Sequence, residues 1–291
     1  MSGRCRAWCD LVRIPNVVTA AADVAAGYLY AGGESHWWRL AVLCLASMGL
    51  YAGGAALNDV LDIERDRVER PDRPMPSGRV SRRAAMTLVV VALAVGLGAA
   101  LCVSTRSGCI AGLLIVAIVL YDGPLKASAP APLLMGSCRG LNLMLGMNPA
   151  TAIASRAMLI PAAILAAYVT ALTCFARTEA RVTSRRRLVA GALGMTVAAV
   201  SLGFIGAVRA EVDRTFLFPV ATLVGAVAIV GGRAAVSGRS EAVQRAVGAL
   251  VLSIVGLDVC IVWAARGSAW ALCVGVLLPV GWLLKRWYRV T

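Results

Sequence analysis

Apolar runs of about membrane-spanning length recur from one end of this 291-residue chain to the other, and they limit its fold more than anything else in it. They fall near residues 14–33, 38–58, 84–104, 107–121, 131–148, 157–176, 188–208, 215–235, 246–265 and 269–284. A helix needs roughly 20 apolar residues to cross about 30 Å of hydrocarbon. In lipid every backbone polar group must be satisfied inside the protein, and continuous rather than alternating apolar runs do this as helices. Composition agrees, with 59% hydrophobic and only 15% charged residues, against about 25% charged in soluble domains. The expectation is an all-α, polytopic membrane helical bundle of nine or ten transmembrane helices forming a single domain over 1–291. The last two runs have the weakest boundary. Gly and Ala inside the runs allow close helix approach, and Gly53, Gly54 and the Gly140–Gly146 pair read first as packing devices.

The net charge of +14 lies in short loops rather than on one soluble face. That distribution argues against nucleic acid as a partner and for a topological bias toward one side of the bilayer. Alternate gaps and ends carry twenty-two of the twenty-nine basic residues and the opposite gaps carry five, with Arg39 and Arg139 inside spans. The bias predicts an integral protein of the cell inner membrane, with the amino terminus and the polar loops cytoplasmic. The nine cysteines have no regular spacing and lack the other half of a zinc site, so they read as small hydrophobes. His36 beside Trp37 and Trp38 reads as part of an interfacial belt.

One stretch departs from this apolar background. LNDVLDIERDRVERPDRPMPSG, residues 57–78, holds six of the fifteen acidic residues. Asn58, Asp62 and Asp66 are spaced i, i+4, i+8, so on a helix they spread over only about 80° and span roughly 12 Å. Asp59 is offset by about 100° and is the weaker candidate for the same site. Two carboxylates and an amide oxygen are hard ligands suited to Mg²⁺, which is commonly held by one or two carboxylates plus substrate phosphate. Arg65, Arg67, Arg70 and Arg73 lie beside this stripe, and guanidinium forks match phosphate oxygens. The same spacing also suits a solvated helix end stitched by ion pairs such as Asp62 or Asp66 with Arg70. Pro71, Pro74 and Pro76 then stop the helix, and a rigid turn there can aim Arg70 and Arg73 at the stripe.

The stretch resembles the first signature of the UbiA superfamily of intramembrane prenyltransferases, N-x3-D-x3-D followed by RP-x-P-x-G. The match falls on Asn58, Asp62 and Asp66, then Arg73, Pro74, Pro76 and Gly78. YDGPLK resembles the family's tyrosine-to-lysine segment, with Tyr121 and Lys126 in the corresponding places beside Asp122. The resemblance implies transfer of an isoprenoid group from a prenyl diphosphate to an aromatic or other electron-rich, hydrophobic acceptor. Asn58, Asp62 and Asp66 would hold Mg²⁺, and Arg73 and Lys126 would bind the diphosphate, with Arg70 beside them. The alternative is a non-catalytic isoprenoid-binding or transport protein that kept the fold.

A second aspartate-rich signature is normal for the family after span six. Here that loop reads CFARTEARVTSRRR, with Glu179 as its only carboxylate. The reading consistent with the resemblance keeps Glu179 as a metal ligand, with Arg177 or Arg181 contacting diphosphate directly; a role in topology explains the same arginines. Arg139 either reaches a phosphate or pairs with Asp122 or a helix carbonyl. Asp23 and Asp258 are isolated in-span carboxylates that line a cavity, pair with a basic group or are neutral.

Overall fold

The computed structural model describes residues 3–33, 36–147, 155–177, 185–207 and 214–287. The described residues are helical throughout, joined by turns. In order they are α1 (Gly3–Leu11), α2 (Ile14–Tyr30), α3 (Trp37–Leu61), α4 (Ile63–Glu69), α5 (Arg82–Val103), α6 (Thr105–Asp122), α7 (Ala131–Met147), α8 (Arg156–Ala176), α9 (Arg185–Val200), α10 (Leu217–Ser237), α11 (Ser240–Arg266), α12 (Ser268–Gly275) and α13 (Leu277–Trp287), with 3-10 turns at Ser201–Ala207 and Arg214–Phe216.

Seven helices among the described residues are long and apolar enough to cross a membrane: α3, α5, α6, α8, α9 with its 3-10 extension, α10 with its preceding turn, and α11. Their outward positions stay apolar where no protein covers them, as at Val90, Val91, Leu113 and Phe218, which is the surface lipid requires. The chain is an integral, polytopic membrane protein. The sequence-based count of nine or ten is higher because three expected spans are shorter. Helices α2 and α7 have 17 residues each, and the last apolar run is divided between α12 and α13 at Val276. Pro279 accounts for that division. Its ring lacks an N–H and crowds the carbonyl four residues back, at Gly275.

Helix pairs α3–α5, α7–α8, α8–α9, α9–α10 and α2–α7 make the most extensive contacts. The α2–α7 crossing depends on glycine. A Cβ on Gly146 would sit 2.1 Å from the Val24 carbonyl oxygen, and one on Gly27 would sit 2.2 Å from that of Leu143. Close approach of this kind is how helices gain packing when lipid is as apolar as their side chains. The expected packing role of Gly140 and Gly146 is thus met, Gly140 facing the Ala162 carbonyl on α8. A main core including Tyr28, Leu50, Leu143, Leu165 and Ile261 fills the bundle. A smaller core under the polar end joins Leu11, Val60, Ile63, Met75, Val80 and Val89.

Candidate active site

The polar end of α3 is where the acidic stretch sits, and its local geometry keeps the stripe intact despite a break in the helix. Asp62 leaves the helical region (φ −89°, ψ 3°) between α3 and α4. The four-residue hydrogen-bond register nevertheless continues: the Asp62 N–H donates to the Asn58 carbonyl (3.0 Å), and the Asp66 N–H donates to that of Asp62 (2.8 Å). Asn58, Asp62 and Asp66 therefore line one chamber, together with Arg13, Asn16, Arg65, Arg70, Arg73 and Lys126. Its volume is about 280 Å³.

The proline-rich loop folds back beneath the stripe. The Val80 N–H donates to the Pro74 carbonyl and the Ser77 N–H to that of Arg73, each at 3.0 Å. Gly78 takes φ +75°, a conformation side chains rarely adopt. Burial of Met75 and Val80 in the smaller core anchors the turn, so Arg73 points inward with 9% of its side chain exposed. It donates to Asp66 Oδ2 at 2.7 Å and to Asp59 Oδ1 at 3.3 Å. Lys126, from the loop between α6 and α7, donates to Asp62 Oδ2 at 2.5 Å. The structure thus brings Asn58, Asp62, Asp66, Arg70, Arg73 and Lys126 together. The solvated stitching expected as the alternative does occur, but further along α4, as Arg65–Glu69 and Arg67–Glu64.

Two members of the site were missed or underweighted. Arg13 read only as a topology determinant, yet it donates to Asp59 Oδ1 (2.9 Å) and to Asn58 Oδ1 (3.3 Å). It is the one non-glycine residue with positive φ among those described, at 53°. That conformation is uncommon for a side-chain-bearing residue and is tolerated where surroundings enforce it. Burial opposes the Arg13 charge most, but Asp59, Tyr51 and Asp122 together outweigh it and raise the guanidinium above its ordinary value. Asp59 was set aside for its 100° offset. That offset aims it at Arg13 and Arg73, so it braces the stripe from behind. No local signal marked Arg13, because its partners are 45 and 46 positions away.

Below the chamber lies a second, largely apolar cavity of about 150 Å³ between α2, α3, α6 and α7. Arg13 and Asn58 line both spaces. Tyr121 and Asp122 stand at this cavity's upper end, and Asn58 Nδ2 donates to Asp122 Oδ1 at 2.8 Å. Its walls include Leu50, Gly54, Leu114 and Ile118, and it reaches Ser47, Tyr51, Arg139 and Asn142.

The remaining candidates fall elsewhere. Arg139 lines this second cavity rather than the chamber, and its partner is neither Asp122 nor a carbonyl: it donates to Asp23 Oδ2 (2.9 Å) and Thr19 Oγ1 (2.8 Å). Asp23 accordingly pairs with a basic group, and Asp258 is fully buried beside it. Arg177, at the end of α8, donates to the carbonyls of Ser128 and Lys126. It ties down the loop that carries Lys126 and is not among the chamber's lining residues. Glu179 and Arg181 lie outside the described residues.

Metal ligands need not be numerous here. Among the described residues no three His, Cys, Asp or Glu side chains converge on one point. Asp62 and Asp66 with the Asn58 amide form an all-oxygen set of the kind Mg²⁺ accepts when phosphate oxygens and water complete its shell. The donor set therefore fits magnesium, with Lys126 and Arg73 standing where cationic charge already balances the acids.

The digeranylgeranylglyceryl phosphate synthase of Methanopyrus kandleri is 37% identical over 153 residues, 51% of this chain and 56% of that protein. The enzyme of the same name from Sulfurisphaera tokodaii is 35% identical over 125 residues, 42% of this chain and 44% of that protein. The matched segment thus spans about half the length of these relatives. Among solved structures, one of a digeranylgeranylglyceryl phosphate synthase superposes with a TM-score of 0.68 at 18% identity, covering 90% of this chain and 98% of its own. A UbiA homolog from Archaeoglobus fulgidus bound to GPP and Mg²⁺ superposes with a TM-score of 0.61 at 10% identity, covering 92% and 99%. These structures share the fold. The profile of the UbiA prenyltransferase family matches residues 20–246, and the chain belongs to that family.

Proposed function

We propose that the protein transfers an isoprenoid group from a prenyl diphosphate to an aromatic or other electron-rich, hydrophobic acceptor. One observation carries this reading: a cation-rich chamber and an apolar cavity meet at Arg13 and Asn58, which line both. A molecule with a diphosphate head and a hydrocarbon tail has that polarity. Relatives named digeranylgeranylglyceryl phosphate synthase and a structural neighbour holding GPP and Mg²⁺ support it.

In this reading Asn58, Asp62 and Asp66 hold Mg²⁺, which supplies charge stabilisation to the departing diphosphate. Arg13, Arg70, Arg73 and Lys126 bind diphosphate oxygens. Arg73 and Lys126 exchange part of their present pairing with Asp66 and Asp62 for phosphate. The bond from the prenyl C1 carbon to the diphosphate oxygen breaks, and its electron pair leaves with diphosphate. The acceptor's nucleophilic atom bonds to C1, and its proton passes to the released diphosphate. Preorganised cations stabilise the charge developing on the leaving group, while apolar walls keep water from the allylic cation. Tyr121 and Asp122 border the space where C1 lies. Arg177 holds the Lys126 loop. Glu179 and Arg181 are kept as the contribution of the altered second loop, with a cation replacing part of a second metal's charge but not its coordination.

The same reading treats residues 1–291 as one domain. Helices α2 and α7, with the α12–α13 pair, complete nine or ten crossings, and basic loops place the chamber on the cytoplasmic side of the inner membrane. A binding or transport protein that kept the fold is the second reading, favoured by the loss of aspartates from the second loop. Purified full-length protein is incubated with labelled farnesyl or geranylgeranyl diphosphate, Mg²⁺ and membrane extract. Metal-dependent diphosphate release with a prenylated product is expected. Binding without turnover across adequate acceptors favours the second reading instead.

A further inference from the structure

The deep end of the apolar cavity is polar, and diphosphate chemistry leaves that polarity unexplained. Ser47 lies eleven residues before Asn58 on α3, about 16 Å deeper at 1.5 Å per residue. There Asn142 Nδ2 donates to the Ala20 carbonyl (2.8 Å) and to Asp23 Oδ2 (3.0 Å). The single Ser47 Oγ–H is shared between Asn142 Oδ1 at 2.8 Å and the Ala20 carbonyl at 3.0 Å. The Arg139 guanidinium is bound to Asp23 and Thr19 and stands 5.8 Å from the centre of the Tyr51 ring. A guanidinium carries five N–H donors. Two such bonds leave donors for the cavity that Arg139 lines.

Charge separates this end from the chamber. The chamber is lined by five basic side chains and two aspartates. At the deep end a single arginine is backed by Asp23, and Asp258 lies within electrostatic reach of both. Both acids are 0% exposed. An anion brought here would meet carboxylate rather than surplus cation, in a region where water cannot screen it. An uncharged oxygen meets no such penalty and gains an N–H donor in an otherwise apolar slot.

We propose that Arg139, Asn142 and Tyr51, with Ser47 holding the Asn142 amide, form a second subsite that receives an uncharged hydroxyl of the acceptor, whose oxygen accepts from Arg139 and whose O–H donates to Asn142 Oδ1, and that it disfavours carboxylate or phosphate there. Tyr51 is seven residues below Asn58, about 10 Å along α3. The acceptor's polar oxygen therefore lies at the deep end and its reacting atom toward Asn58, its apolar body sharing the walls at Leu50, Leu114 and Ile118 with the first carbons of the prenyl chain. This subsite rests on the transferase reading for its name as an acceptor site, but not for its chemistry.

The test uses full-length protein in lipid nanodiscs with tritiated 2-naphthol and 2-naphthoate, a pair of similar shape differing in charge, and empty nanodiscs as blank. The affinity of geranyl thiolodiphosphate with Mg²⁺ is measured on the same samples. Wild-type protein is expected to bind 2-naphthol about tenfold more tightly than 2-naphthoate, the size of one charge-assisted hydrogen bond. Asn142→Leu, and the charge-neutral double change Arg139→Met with Asp23→Asn, each reduce naphthol affinity about tenfold. They reduce donor-analogue affinity much less. Equal or tighter naphthoate binding overturns the subsite, as does unaltered naphthol affinity in folded Asn142→Leu protein or absence of naphthol binding. If naphthol behaves as expected while the thiolodiphosphate fails to bind, the transferase reading falls and the subsite stands.

Discussion

At the rim of the bundle, five basic side chains face Asp59, Asp62, Asp66 and Glu69; about 10 Å deeper, one arginine is paired with Asp23 beside the buried Asp258. Both places pair guanidinium with carboxylate in poorly hydrated surroundings, and in both the distances are ordinary, 2.7 Å for Arg73–Asp66 and 2.9 Å for Arg139–Asp23. The difference is the surplus. Arg13, Arg65, Arg73 and Lys126 each have a carboxylate partner, and Arg70 is the surplus among the described residues; a cation left over after pairing, beside an oxygen-donor stripe, makes a site for a metal-bound anion. A pair with no surplus holds helices α2 and α7 in place and exposes only hydrogen-bond donors. Counting what remains after pairing separates a ligand site from a structural brace.

Substitutions test that distinction directly. The largest effect belongs to the rim acids. Asp62→Asn with Asp66→Asn is expected to lower diphosphate release at least about 10²-fold while membrane insertion persists, the scale seen when transition-state charge stabilisation is removed. Wild-type product formation by this variant would take both residues out of the site. Next comes the deep brace. Asp23→Leu leaves Arg139 buried without its partner and should cost about 3 kcal/mol in unfolding free energy, read by denaturant titration in detergent. Its effect on donor affinity should be far smaller than that of the rim acids; the reverse order would erase the contrast between the two regions. Gly146→Val, which forces the α2 and α7 backbones apart, should destabilise by about 1–3 kcal/mol. Thermal stability equal to wild type would mean that the crossing is not close. The smallest effect is Arg67→Gln, which breaks an exposed Arg67–Glu64 pair. Its stability should change by no more than about 0.5 kcal/mol, and turnover should stay at the wild-type level.

What could be read in the sequence follows from contact distance along the chain. Asn58, Asp62 and Asp66 are neighbours on a local helix, so spacing alone assembled them, and the prolines announced the turn that aims Arg73. Lys126 entered through its motif, although its partner Asp62 is 64 positions away. Arg13 had no motif, and helix packing rather than local periodicity carries it to Asp59. Asp23 and Arg139 meet across 116 positions. Each was visible as an expensive in-span charge, but nothing in either segment chose one for the other. Sequence left Arg177 open between diphosphate contact and topology; its guanidinium is engaged by two carbonyls of the neighbouring loop. The spans themselves were legible because long apolar runs must be helical in lipid. Their number was less so, since the length of α2 and α7 and the Pro279 break depend on where helices end.

The most direct test is the affinity of purified full-length protein for geranyl thiolodiphosphate, titrated with and without Mg²⁺ in wild type and in the Asp62→Asn, Asp66→Asn variant. Mg²⁺ should tighten wild-type binding at least about tenfold by joining the rim acids to phosphate oxygens, and the variant should lose that gain. Tight binding that is indifferent both to chelation and to loss of the two acids would contradict the account.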